Sequence, residues 1–230
     1  MLPTLNIDLG ELPDEPDALF AAAQLANVAC GGHAGDPRSM AEAVARCARF
    51  GVGVGAHPSY PDRAGFGRVA LQLSSAALAE SVAQQCSALA VFGAVGHIKP
   101  HGALYHACAD PAVAEAVLDG AAAALGAVAV IGPPALLAGA AGRGWTAWRE
   151  GFADRGVGRD GALIPRGQPG ALLTDPAQVA ARALALVGQV DTVCVHGDTP
   201  GAVALAWAVR HALAAADGAV SRPPRTTRCR

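Results

Sequence analysis

This sequence predicts an α/β fold, a single-domain β/α barrel left incomplete at about seven strands, and three observations carry that prediction. Short apolar runs alternate with Ala-rich helical stretches from one end to the other, the pattern of a parallel sheet with helices outside. The length, 230 residues, suits such a barrel as one unit. Nearly every apolar run ends in, or leads straight into, a His, Asp, Glu or Lys, and in parallel barrels the loops that follow the strands converge on one mouth. The barrel is expected over residues 1–220. Residues 221–230, basic and proline-containing without apolar period, read as a flexible C-terminal tail.

The first predicted strand, Thr4–Asp8, delivers Asn6 and Asp8 and leads to Glu11. Asn27–Cys30 leads to His33 and Asp36, and Val52–Ala56 to His57. Val95–His101 carries His97, Lys99 and His101 itself, and Ala127–Gly132 comes fifth. Thr146–Phe152 leads to Asp154 and Arg155, and Thr192–His196 ends on His196 and leads to Asp198. Between them, Asp36-Pro37, Asp110-Pro111, Asp175-Pro176 and Thr199-Pro200 each place a capping oxygen before a proline at the first helical position. Ser74 or Ser75 opens a helix that runs through Glu80 to Ala90. The uncharged stretch Ala121–Gly142 is broken by Pro133-Pro134 and reads as helix end, strand, turn and helix rather than a membrane span.

Composition narrows the class. With 52% hydrophobic and 16% charged residues the chain can bury a large core, which excludes disorder over most of its length. A net charge of -2 gives no field that would recruit nucleic acid or an anionic membrane, so a small molecule or another protein is the expected partner. The six cysteines form no CxxC pair and no closely spaced framework; they read as reduced, mostly buried thiols of a cytoplasmic protein. Asp8 and Glu11 arrive too early for an export signal. Arginine supplies nearly all the positive charge, and Lys99 is the single lysine, which raises the question of what a guanidinium could not do there.

Strand parity groups the polar residues, because side chains two apart share a face. Asn6 with Asp8, His97 with Lys99 and His101, and Cys194 with His196 and Asp198 form such sets. Polar groups stacked on one face of a buried strand need partners or a task. His106 and His211 on Ala-rich helices read as ordinary helix residues, Asp36 and Asp110 as caps, and His97 as a structural hydrogen-bonder or a support to the site. Asp8, His33, His57, Lys99, His101, His196 and Asp198 together read as an active site. Familiar motifs are missing: the only lysine precedes Pro100, so there is no P-loop, and neither GxGxxG, HExxH nor GxSxG occurs. Nucleotide chemistry must then be arranged differently or supplied by a partner. His97 and His101, roughly 13 Å apart on an extended strand, cannot share an ion unless Pro100 bends the chain.

Six longer segments carry a resemblance: Asn6-Ile-Asp8-Leu-Gly-Glu11; Ala26 through Cys30 and His33 to Asp36-Pro37; Gly55-Ala-His57-Pro-Ser-Tyr60-Pro-Asp62 with Gly65-Phe-Gly-Arg68; His97-Ile-Lys99-Pro-His101-Gly-Ala-Leu-Tyr105; Glu150-Gly-Phe-Ala-Asp154-Arg155; and Val195-His196-Gly-Asp198-Thr-Pro200. In order and extent they resemble the LamB/YcsF family. The resemblance implies a barrel similar to the glycoside hydrolase/deacetylase class. It also implies the role of the A subunit in a bacterial 5-oxoprolinase, which works with two partner subunits to open 5-oxo-L-proline to L-glutamate at the expense of ATP. ATP would then act at the level of the complex. Two departures bear on substrate more than on fold: Leu12 runs through Pro13 and Pro16 directly into a helix where the family has a longer loop, and Gly32 stands where the family has Phe, removing an expected pocket wall.

Opening a five-membered lactam needs carbonyl activation, a positioned water and a proton for the departing nitrogen. The expected roles follow from that. Asp8 or Glu11 orients or deprotonates water, with His33 and His57 relaying protons; Lys99 and His101 stabilise developing negative charge. His196 with Asp198 forms a second acid/base pair, and Asn6, Asp154 and Arg155 line the substrate, Arg155 through its bidentate fork. Two rivals stand beside this reading. One is a metal-dependent hydrolase of the same barrel class, with Asp8, His33 and His57 gripping a divalent ion. The other is a partner subunit that binds without catalysing.

Overall fold

Apolar and polar residues alternate along the segments 4–9 and 192–196, so the pleat sends them to opposite faces, and the architecture follows from where those faces point. The structure, a computed structural model, describes residues 2–158 and 162–220; the tail expected at 221–230 lies outside the described residues. The first half of the chain forms β1 (Thr4–Leu9), α1 (Asp17–Ala22), β2 (Leu25–Ala29), α2 (Pro37–Phe50), β3 (Gly53–His57), α3 (Ser75–Ala90), β4 (His97–Ile98) and α4 (Gly102–Ala107). The second half forms α5 (Pro111–Leu125), β5 (Ala129–Ile131), α6 (Pro134–Gly142), β6 (Ala147–Trp148), β7 (Glu150–Phe152), α7 (Pro176–Ala185), β8 (Thr192–His196) and α8 (Ala202–Val220). These strands pair in parallel, in the order β6-β5-β4-β3-β2-β1-β8-β7.

Seven expected extended segments become eight strands because the sixth changes partner midway. Ala147 and Trp148 pair with β5, whereas Glu150–Phe152 pair with β8. One continuous segment therefore supplies both edges of the sheet, and the nearly closed barrel is joined through the covalent chain. Asp191 holds the switch: its Oδ2 accepts from Arg149 N at 2.8 Å and Nε at 3.0 Å, and its own N–H donates to Arg149 O at 2.9 Å. The segment expected as Val95–His101 also shortens. Lys99 N still donates to Ala56 O at 3.0 Å, but Pro100 has no N–H to continue the ladder, and His101 turns away as the residue before α4.

Helix starts follow the capping logic at four places. Asp36, Asp110 and Asp175 accept from Ser39 N, Ala112 N and Ala177 N, each before a proline, and Ser74 accepts from Ala77 N. Thr199 is the exception. Gly201, at φ 78, delays α8 to Ala202, and the Thr199 hydroxyl donates instead to buried Asp154 at 2.7 Å. The stretch 121–142 is the end of α5, then β5, a turn and α6; among the described residues no helix is long and apolar enough to cross a membrane.

Leu5, Ile7 and Leu9 of β1, Val28 of β2, Ile98 of β4, and Val193 and Val195 of β8 are buried in one apolar cluster with Phe20, Leu89, Leu118, Leu205 and Val209 from the surrounding helices. The hydrophobic core thus lies between strands and helices. The opposite strand faces point into the barrel and carry Asn6, Asp8, Asn27, His57, His97, Lys99 and Cys194, all buried. Glycine makes room there: a Cβ at Gly55, which stands in register with His97, would overlap the His97 ring.

Close approach also joins α3 to α5, where a Cβ on Gly120 would overlap the Ala79 carbonyl oxygen and lie 2.8 Å from Val82 Cβ. Alanine gains about 1 kcal/mol of helix propensity over glycine, whereas forcing an extra methyl into a packed contact costs about 1–3 kcal/mol. Gly120→Ala is therefore expected to lower stability by about 1 kcal/mol. Thermal unfolding checks this: a midpoint equal to or above that of the wild type would show that the two helices can move apart freely.

Candidate functional site

The site is built on the Lys99 ammonium, which is 2% exposed. Its Nζ lies 3.2 Å from Asn6 Oδ1, 3.0 Å from Asp8 Oδ1, 3.0 Å from Cys194 Sγ and 2.8 Å from Glu150 Oε1. Burial works against its charge, but Asp8, then Cys194 and Glu150, outweigh it and hold the ammonium well above its ordinary pKa. Asp8 answers in kind: burial opposes ionisation, yet Lys99, His57 and His196 keep its carboxyl well below the usual range. Asn27 Nδ2 bridges the pair, donating to Asn6 Oδ1 at 2.8 Å and Asp8 Oδ1 at 2.7 Å, and Asn6 Nδ2 donates to Thr192 at 2.8 Å. Glu150 is the odd member. Its carboxyl is fully buried and close to Lys99, but neither oxygen receives an aligned hydrogen bond.

Beside this network three imidazoles gather on one carboxylate. Glu11 Oε1 lies 3.1 Å from His33 Nε2, 3.2 Å from His101 Nδ1 and 3.8 Å from His57 Nε2. The His33 and His101 rings stack with centroids 3.7 Å apart, and His57 Nε2 is also 3.4 Å from Asp8 Oδ2. Burial lowers the pKa of His33 to about 4 and that of His101 below its ordinary value. The Asp62–Arg68 loop covers the cluster, with Phe66 edge-on to both stacked rings. Phe66 sits at φ 54, the one non-glycine residue with positive φ among the described residues, and its carbonyl lies 3.0 Å from His101 Nε2. Glu15 shapes the short segment after Glu11 by accepting from the N–H groups of Gly10, Glu11 and Leu12.

His196 forms a separate pair. Asp154 Oδ1 lies 2.9 Å from its Nδ1, while Asp154 Oδ2 accepts from the His196 backbone N–H at 2.9 Å and from Thr199. Burial disfavours charge on His196, but Asp154 and then Asp8 raise its pKa above the ordinary value. A cavity of ≈ 470 Å³ opens over these groups, lined by Asp8, His57, Lys99, His101, His196, Tyr105 and Phe152, with Arg68, Arg155 and Arg166 among the lining residues. Such a chamber offers a fixed carboxylate, the imidazoles of His57, His101 and His196 and a buried ammonium to one ligand, with cationic side chains beside them.

Asp8, His57, Lys99, His101, His196 and Arg155 therefore share the cavity wall. His33 and Glu11 join through the imidazole cluster, Asn6 lies against Lys99, and Asp154 backs His196. Asp198 is a correction. It does not pair with His196 but accepts from Arg68 at 2.5 Å and from Arg166 at 3.1 Å, because β8 ends at His196 and the chain turns before Asp198. Arg155 has two nitrogens committed to the carbonyls of Ala171 and Ile164, so its fork is only partly free. Gly32 faces no pocket: a Cβ there would overlap Gln85 and Ser59. The ligand set expected for an ion, Asp8 with His33 and His57, is replaced by two potential sets, Glu11 with His33, His57 and His101, and Asp8 with Cys194 and His196. Glu150, Cys194, Tyr105 and Arg166 were not among the expected site residues; a carboxylate directly after Arg149 inside a predicted strand was the available signal for Glu150.

Residues 4–228 match the LamB/YcsF family. The chain is similar to the A subunit of 5-oxoprolinase from Limosilactobacillus fermentum, 43% identical over 92% of this chain and 95% of that protein. It is likewise similar to the A subunit of 5-oxoprolinase from Streptomyces coelicolor, 45% identical over 91% and 94%. Among solved structures, the lactam utilization protein from Thermus thermophilus superposes with a TM-score of 0.85 at 35% identity, covering 94% of this chain and 98% of that one.

His97 gives a pH signature to the barrel interior. Its Nε2 lies 3.0 Å from Asn27 Oδ1, and burial, followed by Lys99, lowers its pKa to about 3. An unfolded histidine titrates near ~6.5, so below that pH the unfolded chain binds a proton the folded one refuses. The stabilising contribution is complete above ~6.5 and is lost as pH falls toward the folded value, at about 1 kcal/mol per unit. In urea unfolding at pH 6.5 and pH 5, the wild type is expected to lose about 1–2 kcal/mol more than His97→Gln, which keeps a donor toward Asn27 without titrating. An identical loss in both proteins would mean that His97 is protonated in the fold.

Proposed function

The chain belongs to the LamB/YcsF family, and from that premise we propose that it is the A subunit of an ATP-dependent 5-oxoprolinase, opening the lactam of 5-oxo-L-proline to L-glutamate with partner subunits. The observation that carries this reading is the convergence of Asp8, Lys99, His57 and His196 on one cavity with basic residues in its wall. The absence of a P-loop from the sequence supports an ATP-consuming step on the partner subunits, with this barrel receiving the activated lactam. Five buried, free cysteines among the described residues support a cytoplasmic setting.

Within this reading each group has one task. Asp8, held ionised between Lys99 and His57, accepts a hydrogen bond from the attacking water and takes its proton as the bond to the carbonyl carbon forms. Glu11 is engaged by His33 and His101 and steadies those rings. Lys99 supplies fixed positive charge against the oxyanion. His196, whose protonated form is favoured by Asp154 at its Nδ1, has Nε2 available to donate to the departing lactam nitrogen. Arg68 and Arg166, which share Asp198, receive the substrate's negative charge by displacing that carboxylate.

The direct assay combines the chain with its partner subunits, ATP and 5-oxoproline and measures glutamate; no glutamate in the presence of this chain would remove the reading. Lys99→Arg is expected to lower kcat by at least about 100-fold, since a planar fork cannot occupy the ammonium's compact set of acceptors. Near-normal turnover in that variant, with an unchanged thermal midpoint, would remove the role given to the amine. Asp154→Asn tests the acid. His196 must be protonated to donate, so activity falls as pH rises through its pKa, and loss of the adjacent charge, which raises that pKa, should move the alkaline limb to lower pH. An unmoved limb would assign the proton to another group.

A further inference from the structure

Two backbone carbonyls decide where the protons sit on two of the clustered histidines. His57 Nδ1 lies 2.6 Å from Lys99 O, and His101 Nε2 lies 3.0 Å from Phe66 O. A carbonyl oxygen has no proton to give, so each ring must carry its own proton on the nitrogen that faces it. That leaves lone pairs on His57 Nε2 and His101 Nδ1, and these two atoms face each other at 3.0 Å. Lone pairs at that separation repel, and Glu11 Oε1, 3.2 Å from one and 3.8 Å from the other, adds negative charge to the same spot. His33 brings its Nε2 to the same oxygen at 3.1 Å, while its buried Nδ1 has no partner. The arrangement lacks a positive centre.

We infer that Glu11, His33, His57 and His101 form a binding site for one divalent transition-metal ion of the zinc class. The four ligand atoms lie within 4.8 Å of one another. Around a tetrahedral ion with bonds of about 2.0–2.1 Å, ligand atoms stand about 3.3 Å apart. The four spacings among Glu11, His33, His57 and His101 given above, 3.0, 3.1, 3.2 and 3.8 Å, bracket that value; because the His33 ring lies stacked on His101, it must turn to aim its lone pair at the ion, and its unpartnered Nδ1 does not hold it back. Three imidazoles and one carboxylate are borderline donors, which suit zinc or cobalt better than calcium or magnesium. The outer contacts match as well, since metal-bound histidines characteristically donate their second N–H to a carbonyl, here those of Lys99 and Phe66. Phe66 holds its carbonyl in place from a strained backbone conformation. His57 and His101 also line the cavity, so an ion there would stand at the cavity wall near Asp8 with its four tetrahedral positions filled by protein, which makes its role a positioning one.

The alternative is a proton shared between His57 and His101, and metal binding separates the two without any activity assay, so the result stands or falls independently of the lactam reading. The full-length chain, stripped with a chelator and dialysed, is titrated with zinc and with magnesium by calorimetry, and its cobalt form is examined by visible absorption. The expected result is one zinc per chain, a much weaker response to magnesium, and the ligand-field bands of tetrahedral cobalt. Glu11→Gln and His101→Gln should each weaken zinc binding at least about tenfold, while Cys194→Ser, at the second potential set, should leave it unchanged. Because a histidine variant could unfold, Glu11→Gln, which preserves shape, is the deciding one, with circular dichroism run alongside. No zinc binding by the wild type would overturn the site, as would equal affinity in Glu11→Gln and His101→Gln, loss of binding in Cys194→Ser, or an imidazole nitrogen resonance showing a proton shared between the facing atoms of His57 and His101.

Discussion

An ammonium group sealed away from water sets the terms for everything around it. Lys99 can stay charged in the barrel only if acceptors surround it, and they come from separate strands: Asn6 and Asp8 from β1, Glu150 from β7 and Cys194 from β8. An uncompensated charge there would cost several kcal/mol, so a slip in register of any of these strands is penalised twice, once in its apolar face and once here. Buried ion pairs are nonetheless weak sources of net stability, and well-packed hydrophobic residues often do as well. What the network supplies is position: it holds Asp8 ionised at the wall of the cavity.

That placement requires an unusual division of labour. Barrels of this kind fill their interior with branched apolar side chains, whereas here the interior faces carry amide, carboxyl, imidazole and ammonium groups. The hydrophobic driving force must then come from the strand–helix layer, where Leu5, Ile7, Leu9, Val193 and Val195 meet the helices. Alanine-rich helices and close contacts such as Gly120 against Ala79 let that layer pack tightly without large side chains. The polar interior is thus supported by the apolar shell outside it, and few groups inside are free to rearrange.

Local chemistry was legible in the sequence and register was not. Asp36, Asp110, Asp175 and Ser74 announce helix starts because a cap depends on residues three apart at most. The convergence of Asp8, His57, Lys99, His101 and His196 was legible from the rule that strand ends meet at one mouth. The partner of His196 was not. Parity favours Asp198, but β7 and β8 align Phe152 with Cys194 and bring Asp154 level with the imidazole instead. Glu150 escaped notice for a related reason: which face of its segment points inward depends on the change of partner at Arg149, held by Asp191 some forty residues later. Gly32 misled because a missing side chain says nothing about what fills its space; Gln85 and Ser59 do.

The two sides of the site are held by different means. Asp8 and His196 stand on strands and are tuned by neighbouring charges that themselves titrate, so their protonation belongs to the network. His57 and His101 are oriented by the carbonyls of Lys99 and Phe66, which cannot titrate, so their proton positions are fixed by backbone geometry. The backbone that fixes His57 is the same residue whose ammonium fixes Asp8. Lys99 therefore couples the two sides through one residue, its carbonyl facing the imidazole cluster and its side chain the carboxylates. A shift of the chain at Pro100 would disturb both sides together, which is reason enough for the ladder to end there rather than run on.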